Sequence, residues 1–399
     1  MKHLQPARTR RPSGLRSVDR PKILVNWPGG VFADVQWKKD FHVLLSFAEL
    51  GYDPVLVVAK YAARNRPPGL RIYEMGDYDR CRASSKLLNS ICNLYYRFLD
   101  STKLFKILST ERPDVYYQVH ITPFLSMASF LHRVTNRRMK LVLKLDANPD
   151  KLRRWVSKPL WHPSRIRRYA LLFVSFFPYD VIIAETPCSY NALLRVCLPF
   201  PGKFRLLPNG YDPSIRPPGG DAKRQKVVLS VARISRQKGL DVLIRAFAEA
   251  HRDFAEWRLR IVGPVDDGGL LEDLRGLAAS LGVASSVDFV GPFYGQVLKE
   301  EYSRASIFAL LSNWESFGIA RVEAMAYGLP VVTTEAGCGS WLSECGASVV
   351  PIGDWRAAAE ALKKLMADPN LRSETSSRKC AALLSWDEFA RKLEGILEG

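Results

Sequence analysis

With 399 residues, 47% of them hydrophobic and 25% charged, the chain is too long for one ordinary core and too apolar for a disordered one. Seven cysteines, at 81, 92, 188, 197, 338, 345 and 380, form no CxxC pair and no Cys/His cluster, which argues against structural zinc and reads as scattered reduced thiols of a cytoplasmic protein. The net charge of +18 is one-sided: residues 1–212 hold 35 Lys and Arg against 16 Asp and Glu, a net of +19, and the remainder nets −1.

Residues 1–21 read as a flexible basic arm without the apolar stretch of a secretory leader. The longest near-apolar run, Tyr169–Ala184, contains Pro178 and Asp180 and falls short of a bilayer span. From Lys22 onward, short β-branched runs alternate with helical patterns. Strands are expected at Lys22–Trp27, Pro54–Ala59, Asp114–Val119, Lys140–Leu145, Asp180–Ala184 and Phe204–Leu207. Helices are expected between them at Trp37–Leu50, Lys86–Ser109, Pro123–Arg133, Ser164–Phe177 and Pro187–Cys197. A Pro- and Gly-rich segment, Tyr211–Gln225, reads as a linker.

Alternation then restarts, with strands at Lys226–Ala232, Arg258–Val262, Val287–Val290, Ile307–Leu311 and Pro330–Thr333. The helical patterns there are Leu240–Ala250, Leu270–Leu281, Gln296–Ala305, Ile319–Tyr327 and Trp355–Ala367. The fold class that follows is α/β, with two doubly wound Rossmann-like domains facing a cleft at the strands' C-terminal ends.

The strongest chemical signal is Asn313-Trp314-Glu315-Ser316-Phe317-Gly318-Ile319, which leaves a strand, turns at Gly318 and opens a helix closed by Gly328 and Pro330. Free N–H groups at such a helix start suit a phosphate. Glu315 in the loop and Glu323 one turn into the helix can face one cleft and hold vicinal hydroxyls; alone, either would read as a solvated glutamate. In the loop after the strand at Lys226–Ala232, Arg233 and Lys238 are placed to reach a diphosphate, where each charge-assisted hydrogen bond contributes about 1.5–3 kcal/mol.

These segments resemble retaining glycosyltransferase family 4, of the GT-B fold (glycosyl transferases group 1). Glu315 and Glu323 match its E-x7-E motif, and Arg233 to Gly239 its phosphate-binding pattern. Leu207-Pro208-Asn209-Gly210-Tyr211-Asp212 matches its turn before the second domain, and Ser385-Trp386-Asp387 its terminal segment. The match is close over 205–399 and looser over 22–204. The resemblance implies an acceptor-side domain at 22–212, a nucleotide-sugar domain at 213–380, and a terminal helix at 381–399 that crosses back.

It further implies that Arg233, Lys238, Gly318 and Ile319 bind the donor diphosphate, Glu323 the ribose, and Glu315 the donor sugar. Gly291, Pro292 and Phe293 would lie against the nucleobase, and Gly29 and Gly30 would form the glycine loop of the first domain. Where many members carry a His beside the donor sugar this chain has Asp146, read equally as a catalytic partner or a loop cap. His120 falls on the same rim, where a lone histidine is more often structural.

Family precedent implies a retaining transfer from a nucleotide-diphosphate sugar, with no cofactor and no essential metal. The acceptor, a lipid-linked or polysaccharide precursor, is not fixed. The stretch Lys151 to Tyr169, with seven Lys and Arg beside Trp155, Trp161 and Tyr169, favours an anionic membrane surface over a plain solvated face, and either over specific nucleic acid. The expected location is cytoplasmic, peripheral at the inner face of a membrane. The competing reading is a non-catalytic nucleotide-sugar-binding GT-B protein acting as a partner or scaffold.

Overall fold

In the computed structural model the described residues are 20–32, 39–62, 69–76, 85–145, 163–196, 200–211, 224–337, 339–368, 378 and 380–398. Over the first half, runs of Val, Ile and Leu form a seven-stranded sheet in the order β3-β2-β1-β4-β5-β6-β7. These strands are β1 (Lys22–Phe32), β2 (Asp53–Tyr61), β3 (Arg71–Glu74), β4 (Val115–Val119), β5 (Lys140–Leu145), β6 (Val181–Ala184) and β7 (Phe204–Leu206). All their pairings are parallel. Parallel strands need crossovers, so helices cover both faces and the inner strands are buried throughout, as β4 and β6 are.

One face carries α2 (Lys86–Glu111), α3 (Pro123–Thr135), α4 (Pro163–Phe176) and α5 (Pro187–Val196), whose inner residues share a core with β-strand side chains. The other face carries α1 (Lys39–Glu49) and the last helix of the chain, α11 (Trp386–Glu398). The second sheet has the order β10-β9-β8-β11-β12-β13. It comprises β8 (Val227–Val231), β9 (Arg258–Val262), β10 (Val287–Gly291), β11 (Ile307–Leu310), β12 (Val331–Thr334) and β13 (Ser348–Val350). Its helices are α6 (Leu240–His251), α7 (Gly268–Ser280), α8 (Gly295–Arg304), α9 (Ile319–Ala326) and α10 (Trp355–Ala367).

The terminal helix joins the two halves. Trp386, Phe389, Leu393 and Leu397 recur at helical spacing and enter the first sheet's core beside Phe41, Leu44 and Phe47 of α1. Ser385 Oγ caps the helix by accepting the Glu388 N–H at 3.2 Å, and Ser46 Oγ donates to Asp387 at 2.8 Å. Just before it, Tyr211 N–H donates to the Leu384 carbonyl and Trp386 N–H to the Tyr211 carbonyl. A Cβ on Gly210 would stand 2.2 Å from the Trp386 nitrogen, so only glycine permits this contact between the Asn-Gly-Tyr turn and the Ser-Trp segment. Beneath it, Lys144 of β5 is fully buried, 3.2 Å from Glu185 and 5.2 Å from the Trp386 ring centre.

Several expectations need correction. The edge strands β3 and β13 were not foreseen: Arg-Ile-Tyr-Glu and Ser-Val-Val are too short and too half-buried to show a pattern. Strand β1 runs on to Phe32, so Gly29 and Gly30 lie inside it; its register to β2 shifts between Trp27 and Val31, where the Pro28-Gly29-Gly30 insertion interrupts pairing. The reading of all seven cysteines as reduced also fails. Cys345 and Cys380, 35 residues apart, form a disulfide with Cα atoms 5.6 Å apart, and Cys92 and Cys188 are each disulfide-bonded too. Pairing depends on approach in space, which sequence spacing does not report.

Candidate functional site

In the second sheet the chain leaves β8 toward β9 on one side, and β11 lies on the other, so the loops after β8 and β11 part at a topological switch point. The loop after β8 makes a 3₁₀ turn at Arg236–Lys238 before Gly239 and α6. That after β11 runs from Leu311 to Gly318 before α9. The two are stitched together. Asn313 N–H donates to the Gln237 carbonyl, Asn313 Nδ2 to the Arg236 carbonyl at 2.9 Å, and Gln237 Nε2 to the Trp314 carbonyl at 3.0 Å.

This stitching sets Lys238 Nζ 2.5 Å from Glu315 Oε1, with both side chains largely buried. Ser312 Oγ donates to the same oxygen at 2.8 Å. Lys238 and Glu315, with Asn209, Val231 and the first turn of α9, line a cavity of about 180 Å³. That is smaller than the roughly 300 Å³ of a pocket enclosing a whole drug-sized ligand, and suits one charged group or one sugar ring. Gly318 caps α9 in the left-handed conformation, φ 77°, and among the described residues no side chain makes a capping hydrogen bond there. The positive end of α9 is thus presented to the cavity.

A buried arginine holds that turn. Arg321 donates to the carbonyl of Phe317, to the carbonyl of Ala336 at 3.1 Å and to Thr333 Oγ1 at 3.3 Å. Burial pushes its guanidinium down to about 10, against the pull of Glu315. A Cβ on Gly318 would come within 2.5 Å of Arg321 Nε, so glycine is required there twice over, by its φ and by this contact.

The structure brings Lys238, Glu315, Gly318 and Ile319 to one cavity and leaves the other expected residues outside its lining. Arg233 is ion-paired with Asp266 and more than half exposed. Glu323 accepts a 2.6 Å hydrogen bond from Tyr302 of α8, whose hydroxyl burial, with Glu323 beside it, holds far above the usual phenol range. Gly291 ends β10 at φ 78°, and Phe293 packs against the second sheet's core. His120, at φ 66° and exposed, follows β4, and its N–H donates to the Lys144 carbonyl at the C-terminal edge of the first sheet. Asp146 and the basic stretch 151–162 lie outside the described residues. Among the described residues, no three His, Cys, Asp or Glu side chains cluster as metal ligands, and no helix is long and apolar enough to cross a membrane.

Two residues escaped sequence reasoning as site residues. Arg321 sits mid-helix, where nothing marks it as a brace. Asn209 read only as part of a turn, yet its amide is fully buried, lines the cavity, and has no hydrogen-bond partner for Nδ2 or Oδ1 among the described residues. The Pro-Asn-Gly turn that carries it was visible; its place beside Lys238 was not.

Residues 212–379 match the family Glycosyl transferases group 1. The chain is 28% identical over 255 residues to mannosylfructose-phosphate synthase of Agrobacterium fabrum, covering 55% of this chain and 53% of that protein. It is 34% identical over 237 residues to D-inositol 3-phosphate glycosyltransferase of Acidothermus cellulolyticus, covering 55% and 52%. These alignments thus span about half the length of the relatives. Sucrose-phosphate synthase of Thermosynechococcus elongatus superposes with a TM-score of 0.71 at 20% identity, over 94% of this chain and 98% of that one. Alr3699/HepE of Anabaena, solved in complex with UDP and glucose, does so at 0.67 and 16%, over 95% and 100%. The family match thus covers residues 212–379, in the second half of the chain, and the two-sheet α/β frame that carries them has the GT-B fold of these solved structures.

Proposed function

We propose that the protein transfers a sugar from a nucleotide-diphosphate sugar to an acceptor, with retention at the anomeric carbon. The observation that carries this reading is the Lys238–Glu315 pair set against the uncapped start of α9. A diphosphate entering the cavity would take Lys238 and the N–H groups at Gly318 and Ile319, freeing Glu315 to accept from hydroxyls of the donor sugar. Arg233 would turn from Asp266 to the same diphosphate, and Glu323 would hold the ribose hydroxyls. The loop at Gly291, Pro292 and Phe293 would flank the base.

In the transfer, the bond from the anomeric carbon to the phosphate oxygen breaks, and its electron pair stays on the phosphate. That developing charge meets Lys238, Arg233 and the helix start, which lower the barrier electrostatically without a metal. The acceptor oxygen attacks from the same face and its proton passes to the leaving phosphate oxygen. Asp146 and His120 would stand on the acceptor side of the cleft, and the glycines at 29 and 30 near the phosphate or acceptor. A lipid-linked or polysaccharide-precursor acceptor at the inner face of a membrane fits the basic first half. UDP, present in the Alr3699/HepE complex, is the first nucleotide to try.

Thermal-shift titration with UDP, GDP and ADP tests the donor site, repeated on Glu323→Ala. One nucleotide at a hundred times its Kd should add about 2.7 kcal/mol of stability, and the variant should need more of it. Turnover of the matching nucleotide sugar, releasing free nucleoside diphosphate, separates transfer from the binding-only reading. No stabilisation by any of the three would sink the donor assignment.

A further inference from the structure

Large apolar side chains that remain exposed are not spread over this molecule. Of 20 such residues among the described ones, 12 belong to α2, α3 and α4, which lie side by side on one face of the first sheet. On α2, Leu88, Ile91, Tyr95 and Phe98 recur at three- and four-residue spacing, each between 55% and 59% exposed. They form a stripe directed away from Leu104, Ile107 and Leu108, which serve the core. Toward the other end of the helices, Leu131 and Val134 of α3 flank His132, which meets Phe105 of α2, and Phe173 of α4 and Phe177 just after it are exposed as well.

The charge on these helices has one sign. Their described side chains include four Lys and Arg, namely Arg97, Lys103, Lys106 and Arg133, and two acids, Asp100 and Glu111, both buried. Arg137, Arg138 and Lys140, after α3, are exposed and add to it. A second copy seated on this face about a twofold axis would set cations against cations. An anionic lipid surface meets both features at once: apolar side chains sink to the acyl boundary while Lys and Arg reach the headgroups.

The stripe also has a position. It occupies the N-terminal half of α2, the end nearest the C-terminal edge of the parallel strands, where the cleft opens.

We infer that the outer face of α2, α3 and α4 docks the protein onto an anionic membrane surface. This gives the membrane partner named above a defined site, and it stands apart from the transfer chemistry because binding is read without donor or acceptor.

Co-sedimentation of the full chain tests it, with vesicles of phosphatidylcholine alone or mixed with phosphatidylserine. The chain should bind the mixed vesicles, bind the neutral ones far less, and be released as salt rises, at roughly fivefold per Lys or Arg at the surface. Leu88→Ser with Phe98→Ser should weaken binding at least about tenfold. Leu281→Ser with Val297→Ser, exposed apolar residues of the second half, should leave it unchanged. Should the α2 variant unfold, Lys106→Glu with Arg138→Glu supplies an independent test on exposed residues and should also release the protein. Failure to bind the mixed vesicles, or binding indifferent to both variants, overturns the inference. So does a dimer in light scattering that the α2 variant dissolves while vesicles capture nothing. Nucleotide-induced stabilisation in the same preparation would survive that failure.

Discussion

Replacing Lys144 by Met should cost the protein about 3–5 kcal/mol. The Lys144 ammonium is 3.2 Å from Glu185 Oε1, and both side chains are at most 2% exposed. Methionine keeps the stem that packs near Trp386 and Phe389 but leaves Glu185 a buried carboxylate without that cation. Removing one partner of a buried pair carries the stated cost, most of it from the buried charge left behind rather than the lost attraction. For a folding unit of 150–250 residues, each kcal/mol moves Tm by roughly 2–4 °C, so the transition should fall by about 6–20 °C. The companion variant, Lys144→Met with Glu185→Leu, removes both charges and should recover most of the loss, because an apolar pair of similar volume needs no compensation. Calorimetry on the wild type, both single variants and the double variant gives the coupling directly. A single variant as stable as the wild type, or a double variant no better than the single, would refute the claim that the pair holds β5, β6 and the terminal helix together.

Asn209→Ala should raise the concentration of nucleotide sugar needed for half-saturation by about three- to tenfold, the worth of one or two hydrogen bonds, with little change in Tm because the amide has no partner to lose; donor titration against a melting curve separates the two effects. Arg321→Leu strands the Phe317 and Ala336 carbonyls and should cost at least about 2 kcal/mol in chemical denaturation and abolish nucleotide-induced stabilisation, since the turn under α9 loses its brace. His132 is buried against Phe105, and burial, with Arg112 adding to it, lowers its pKa below the ordinary value. The unfolded chain therefore takes up its proton first as pH falls. Stability should decline below about pH 6.5, with a slope bounded by about 1.4 kcal/mol per pH unit. His132→Gln should flatten that slope in pH-dependent unfolding, and an unchanged slope would remove His132 as its source.

Much of this molecule was legible in one dimension because its determinants are local. Alternating apolar runs and helical patterns report a parallel sheet covered on both faces, since every inner strand must bury both sides. Bounds such as Lys140–Leu145, Arg258–Val262 and Trp355–Ala367 agree with the sequence reading to the residue. Glycine before a helix reads as a phosphate-binding turn because only glycine accepts that backbone cheaply. Edge strands β3 and β13 were hidden because three or four half-buried residues carry no period.

What only the tertiary structure decided is how distant residues meet. Lys238 faces Glu315, 77 residues away, because β8 and β11 are neighbours in the sheet order. Asn209 reaches the same cavity because Gly210 lets the turn press against the Ser385-Trp386 segment. The apolar stripe of α2 is an exposed face rather than core because the sheet takes only the opposite side of that helix. Amphipathic spacing shows in sequence that a face exists; which face the sheet buries is settled by packing alone.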